Sequence, residues 1–242
     1  MRTIILIFVL LGYYSLSAQI KGKVTYRLET IKDSVEEPFQ NRKNTEAKNE
    51  ALLMMKESQP VEGYLVFNDS IAIYNVEPKI DIPGWNNSGD GLSITRSNIN
   101  LTWFMAGGSS IYYNDRSRNY SITQNTIMGP TKRVIQKPKD WVITKETKQI
   151  DGYTCYLATI EKRNNKKVKA WFAPEIPVKH GPRGFNGLPG LILEIEDVAL
   201  LWTVIKIDID HPEADDIIEP TEGELLTQEE FIRFSGNPFG DN

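Results

Sequence analysis

The stretch that decides the fold is Ile150-Asp151-Gly152-Tyr153-Thr154-Cys155-Tyr156-Leu157-Ala158-Thr159-Ile160. Asp-Gly is a turn pair, because both residue types tolerate the positive φ that a tight hairpin loop demands. The residues after it alternate as a strand does, with Tyr153, Cys155 and Leu157 on one face and Tyr156, Ala158 and Ile160 on the other. Both faces are largely apolar, so both are expected to be covered; a sheet with one wet face would carry polar residues on that side. The sheet is therefore expected to curve around something, or to be packed on both sides.

Outward from this strand the same grammar repeats. Trp141–Thr144 reads as the strand entering the turn, and Val168–Phe172, Leu191–Ile195 and Leu200–Ile209 read as strands leaving it, with Arg163–Lys166 as a turn. Upstream, Val24, Tyr26 and Leu28 alternate with Lys23, Thr25 and Arg27. Tyr64–Val76 reads as a hairpin turning at Asn68-Asp69, and Ile111–Tyr113 with Tyr120–Ile122 as a second around Asn114–Arg118. Strands joined by short turns, with no helical period between them, argue an antiparallel meander rather than βαβ units. Ala47, Ala51, Met54, Met55 and Ser58 fall on one helical stripe that Pro60 ends. Thr227 followed by Glu230 is a capping box for a short terminal helix. Asp81–Gly91 is loop by composition. The expected fold class is mainly β: a curved antiparallel meander sheet, open-barrel-like, with one or two short helices.

The first residues carry a different signal. Met1-Arg2-Thr3 precedes an apolar run from Ile4 to Leu11, and Ser15-Leu16-Ser17-Ala18 supplies small residues before Gln19. That order predicts a cleavable signal peptide over 1–18, cut after Ala18, and a single β-rich domain over 19–242 with an acidic C-terminal tail. The run is shorter than the ~20 apolar residues of a membrane span, so no membrane span is expected. A periplasmic or secreted location follows. The single cysteine, Cys155, excludes both a lipid anchor beside the cleavage site and an intrachain disulfide. Cleavage removes Arg2 alone among the charged residues and moves the formal net charge from −4 to −5. So mild an acidity, without a basic patch, argues against nucleic acid.

Catalytic readings are weak. Cys155 with His180 would be a thiolate and its base, but a thiol mid-strand among apolar residues acts as a small hydrophobe. Gly107-Gly108-Ser109-Ser110 does not match a nucleophile elbow. Asp208, Asp210 and His211, with Asp215 and Asp216 close behind, form the best candidate for a hard cation, although they lack the glycine and terminal glutamate of a calcium loop. Glu194 and Glu196 share a strand face and read as a wet face in the absence of a supporting group. No catalytic residue, cofactor or metal is assigned.

The most distinctive run is Gly181-Pro182-Arg183-Gly184-Phe185-Asn186-Gly187-Leu188-Pro189-Gly190-Leu191-Ile192-Leu193-Glu194-Ile195. Pro189 presets φ for position i+1 of a turn, and Gly190 suits the positive φ of a type II turn at i+2. Gly187, Leu188, Pro189, Gly190, Leu191 and Ile192 resemble, letter for letter, the signature of the GLPGLI family of bacterial exported proteins. Ile150 with Gly152–Cys155, Ala170-Trp171-Phe172, Glu175–Val178 and Gly181-Pro182 also match. The resemblance spans Lys23 to Glu230 and is strongest between Trp141 and Ile195. It implies an envelope protein and supplies no catalytic residues. The acidic segment after Asp210 stands where the resemblance implies a lysine-rich one, which argues against a tail that binds an acidic partner. The meander with an early helix is similar to the open β-barrel of periplasmic lipoprotein carriers, a likeness of fold only.

The function expected on these grounds is a non-enzymatic envelope protein that binds an apolar ligand or a protein partner, an outer-membrane receptor among the candidates. Phe185 and Leu188 in the glycine-rich loop, with Trp171 in the strand before it, are the expected ligand-binding residues; the alternative is that they are core. A metal-dependent or otherwise cryptic enzyme and a structural or assembly factor are the rival readings.

Overall fold

Twelve strands in a single sheet carry the described part of the chain. The structure is a computed structural model, and it describes residues 20–31, 45–77, 100–126, 130–162, 166–197 and 199–234, without the side chains of 45–48, 50 and 51. The signal segment 1–18, the Asp81–Gly91 loop and most of the turn expected at Arg163–Lys166 lie outside the described residues. In chain order the elements are β1 (Gly22–Thr30), α1 (Thr45–Glu57), β2 (Val61–Phe67), β3 (Ile71–Val76), α2 (Leu101–Met105), β4 (Ser110–Asp115), β5 (Tyr120–Asn125), β6 (Lys132–Ile135), β7 (Val142–Ile150), β8 (Tyr153–Glu161), β9 (Lys167–Ala173), β10 (Leu191–Asp197), β11 (Leu200–Ile209), β12 (Glu224–Leu226) and α3 (Gln228–Phe234). The spatial order is β12-β6-β5-β4-β3-β2-β1-β11-β10-β9-β8-β7. Two antiparallel meanders thus meet where β1 pairs with β11, and β12 adds a parallel pairing, on β6.

This order forces the sheet to roll. β6 and β7 stand near opposite ends of it, ten strand spacings apart, roughly 48 Å if the sheet were flat. Only residues 136–141 join them, and so short a link reaches about 25 Å when fully extended. The two ends must therefore approach each other, leaving a seam between β7 and β12. The expectation of a curved, open-barrel-like meander is met.

The local reasons are those the sequence offered. Asn68 Oδ1 accepts from the amides of Ser70 and Ile71 at 3.0 and 2.9 Å, which turns β2 into β3. Asp151 (φ 49°) and Gly152 (φ 82°) both take positive φ between β7 and β8, as a two-residue hairpin requires. Thr227 Oγ1 accepts from the Glu230 amide at 3.2 Å while Glu230 Oε2 accepts from the Thr227 amide at 2.8 Å, the reciprocal capping box. In α1, Leu52 and Met55 are buried against Ala199. Ser58 closes the helix by donating to the Met54 carbonyl, and its hydroxyl accepts from the Leu101 amide at the start of α2.

The inner face holds the core. Register places Val24, Tyr26 and Leu28 of β1, Leu65 of β2, Tyr74 of β3, and Trp202 and Val204 of β11 on one side, and all are buried. Tyr26 donates its hydroxyl to the Ile192 carbonyl at 2.6 Å, tying β1 to β10 through the interior.

The acidic tail crosses the outer side as a strap. Residues 212–215 pack on β1 and β2, burying Ala214, and β12 then pairs with β6. Along this path Asp215 meets Lys21 at 2.5 Å, Glu213 meets Lys23 at 2.9 Å, Glu219 meets Arg118 at 2.6 Å, and Glu224 meets Lys132 at 2.5 Å. Glu229 pairs with Lys137 at the end. The acidity serves the chain's own lysines and arginines. Among the described residues no helix is long and apolar enough to cross a membrane.

Candidate functional site

The glycine-rich run fills the rolled sheet. Ile176, Val178, Phe185, Leu188, Leu191 and Ile192 all belong to the buried core, so the loop from β9 to β10 is a plug. Its backbone explains its composition. A side chain at Gly190 would place Cβ 2.3 Å from the Ala173 carbonyl oxygen, a contact with fixed backbone. The type II turn expected at Pro189-Gly190 does not form: the positive φ in the motif belongs to Gly187 (φ 95°), and Gly190 is there for close approach. The plug is bolted across the seam. Trp141, in the link between β6 and β7, donates Nε1 to the Asn186 carbonyl at 2.8 Å, and its ring lies 6.1 Å from that of Phe185.

The expected ligand-binding residues are not brought together. Leu188 is 1% exposed and Phe185 is buried, both over the inner face. Trp171 pairs with Leu157 and Glu194, and alternation puts it on the face opposite Phe172. There its ring carries the Lys148 ammonium at 4.5 Å, and Lys148 in turn holds Glu194 at 2.6 Å. Glu196 pairs with Lys169 at 3.1 Å, so both glutamates of the strand face are held in ion pairs. Beside the plug, Tyr74, Tyr112, Asn114, His180, Phe185 and Asn186 line a cavity of only about 10 Å³, room for about one water and far below the ~300 Å³ of a ligand pocket.

His180 is locked in this interior. Its Nε2 meets the Asn68 carbonyl at 3.0 Å and its Nδ1 the Asn114 amide at 3.3 Å. A carbonyl only accepts, so the proton sits on Nε2. Burial drives its pKa from 6.5 down to about 4, which keeps the ring neutral. Cys155 is buried, with its sulfur 3.7 Å from the Tyr153 carbonyl, and burial pushes the thiol up to about 11. Neither residue serves the other as nucleophile or base. Ser110 is buried with its amide donated to the Gly107 carbonyl. Asp208 pairs with Lys206 at 3.4 Å and stands 3.9 Å from His211, whose Nδ1 accepts from the Glu213 amide. Asp210 takes positive φ at the end of β11. Among the described residues no three histidine, cysteine or carboxylate side chains converge on one point.

The seam is where apolar surface is left bare. Of ten exposed large apolar side chains among the described residues, Val142 and Ile143 lie on β7 and Leu225 on β12, the strands that flank it, with Tyr156 one strand inward on β8 and Ile232 on α3; Ile143 and Tyr156 share the inner face, and Val142 points to the other. Val142 is 62% and Ile143 50% exposed at the start of β7, whose outer edge has no strand partner among the described residues. The β7 register slips between Ile143 and Thr147, where Lys145 and Glu146 stand and Thr144 Oγ1 accepts from the Glu146 amide. A charged bulge of this kind disfavours addition of another strand. The lips therefore offer side chains rather than a free backbone ladder. No single sequence pattern marked the seam, since its lips come from elements about 80 residues apart that meet only because the sheet rolls.

Comparison with known proteins agrees with the fold and leaves the activity open. Residues 159–194, which contain Gly187–Ile192, match a bacterial family described as "Protein of unknown function (Porph_ging)". None of the curated proteins matches. Among solved structures, PNGF-II is similar in two crystal forms, with TM-scores of 0.52 and 0.51 and 10% identity in each, over 88% and 89% of this chain. An uncharacterized conserved protein from Thermus thermophilus aligns over 86% of this chain and 90% of its own at 6% identity, with a TM-score of 0.37, too low to bear on the fold. This chain spans about a third of PNGF-II, 32% and 33% of its length in the two forms. At that identity the likeness is one of fold alone, a β-rich domain carrying the short segment of a bacterial family whose function is unknown.

Proposed function

We propose that this chain is an exported, GLPGLI-type protein of the cell envelope that binds a protein partner without catalysis, along the lips of its seam. The observation that carries the reading is the exposure of Ile143 and Tyr156 on one face beside the edge of β7 left unpartnered among the described residues, with Val142 exposed at the same edge. Scattered single apolar residues need no explanation, whereas a bordered apolar strip marks an interaction site.

The experiment places a photo-crosslinking phenylalanine at Tyr156 and, as a control, at Arg27 on the outer face of β1, in the producing cell. The expected result is a discrete adduct from position 156 alone, carried by a protein whose N terminus is Gln19. Adding Ile143→Lys should weaken that adduct at least tenfold, since a buried apolar contact would be replaced by a charge worth ~3 kcal/mol or more to desolvate. Equal adducts from both positions, or none from Tyr156, would sink the seam reading. Retention of residues 1–18 would sink the export reading separately.

A further inference from the structure

Within Gly181-Pro182-Arg183-Gly184 lies a feature that plugging the sheet does not require. Arg183 takes φ 50° and ψ 36°, a left-handed conformation that ordinary side chains avoid. Strain of this kind gathers at binding and switch sites. The guanidinium lies 5.5 Å over the Trp202 ring, and its Nη1 donates to Asp197 Oδ2 at 3.2 Å. Partial burial opposes the guanidinium charge, which the Tyr112 phenol, Asp197 and the Tyr74 phenol help to hold. Arginine has five N–H donors, so Asp197 leaves the rest of the fork to solvent, to which the side chain is 30% exposed.

Two more cations face the same carboxylate. Lys162 Nζ meets Asp197 Oδ1 at 2.5 Å. Lys139 stands 6.0 Å over the Phe185 ring, without an acceptor among the described residues. Burial first, then the Arg183 and Lys162 charges, lower its pKa. Arg183 and Lys162 thus share one buried acidic group, and Lys139 stands within its electrostatic reach. Beneath them, Trp202 Nε1 and the Tyr74 hydroxyl are fully buried and have no hydrogen-bond partner among the described residues. The two stand near each other without reaching hydrogen-bond geometry, and burial holds the Tyr74 phenol protonated.

Among the described residues the cluster is rich in donors and positive charge and poor in acceptors, and it is open to solvent, with Arg183 30% and Lys162 40% exposed. Buried donors without acceptors are costly and call for an explanation. Water can satisfy the indole and the phenol and hydrate the part-exposed cations, but only an anion would also neutralise the excess charge. A planar or tetrahedral oxyanion answers both needs, because the free fork of an arginine matches two oxygens at once. We propose that Arg183, Lys139 and Lys162 form a binding site for a small oxyanion, a carboxylate or a phosphate group, at the inner mouth of the sheet beside Trp202. The site is independent of the seam.

The test follows the Trp202 indole N–H resonance of the ¹⁵N-labelled protein, identified by its loss in Trp202→Phe. Sodium phosphate and sodium acetate are titrated separately at constant ionic strength. The expected result is a saturating shift with at least one of them, weakened at least tenfold in Arg183→Gly and in Lys139→Gln. Glycine suits the left-handed backbone at 183, and Lys139 is a half-buried side chain, so both variants keep the fold. Saturation by phosphate alone identifies a phosphoryl group, and by acetate alone a carboxylate; either supports the site. A drift that never saturates with either anion, or saturation unchanged in both variants, overturns it.

Discussion

Lowering the pH from 7 to 4 is expected to remove about 3 kcal/mol of stability through His180 alone. In the folded protein its pKa is held at about 4, against 6.5 when free. As the pH falls through 6.5 the unfolded chain takes up a proton that the folded chain refuses, so the stability present above 6.5 drains away down to about 4. Urea unfolding at pH 7, 5.5 and 4 would read this directly. His180→Asn can restore one hydrogen bond without titrating, so its profile should be flatter across that window by about the same amount. Parallel profiles for the two proteins would show that His180 is not held neutral by burial. For a chain of this size ~3 kcal/mol corresponds to roughly 10 °C in Tm, within the range of ordinary thermal melts.

Leu188→Asp should be worse still. Leu188 is 1% exposed within the plug. Leu188→Ala removes core contact worth about 2–5 kcal/mol, and the aspartate adds a carboxylate with no partner in an apolar surround. The expected outcome is a Tm at least ~10 °C below the parent at pH 7, or no folded protein, with Leu188→Ala between the two. This separates two roles that the sequence alone left open. A residue that gates a ligand would tolerate aspartate with its fold intact. A residue that fills the rolled sheet would not. An unchanged melt for Leu188→Asp would return Leu188 to the ligand-binding reading.

What could be read from the chain beforehand followed the range of each signal. The hairpins at Asn68 and Asp151, the strands at Tyr153 and Leu191 and the capping box at Thr227 are local, and each was legible because a few adjacent residues decide it. α2 was not, since five residues of Leu-Thr-Trp-Phe-Met show no period and the helix depends on Asn100, whose side chain accepts from the Trp103 amide. β6 and β12 were missed for another reason: Lys132 and Glu224 meet across 92 residues, and neither segment is long or apolar enough to announce a strand. The Pro189-Gly190 pair reads as a turn on dipeptide grounds, whereas the constraint on Gly190 comes from Ala173 at the end of β9. The Arg183 cluster gathers Lys139, Lys162, Asp197 and Trp202 from separate elements, and spacing along the chain gives no hint that they converge.

The pairing of β1 with β11 has a consequence in time. Lys21 and Asp215 touch although they are 194 residues apart. During synthesis at about 5–20 residues per second, the side of β1 that β11 will cover stays unpaired for roughly ten to forty seconds. The first meander can form early, but its leading edge waits for nearly the last strand. Such non-local closure belongs to the slow end of folding, milliseconds to seconds even for a finished chain. A nascent chain of this design therefore stays incomplete, open to a chaperone and exposed to aggregation, until β11 has been made.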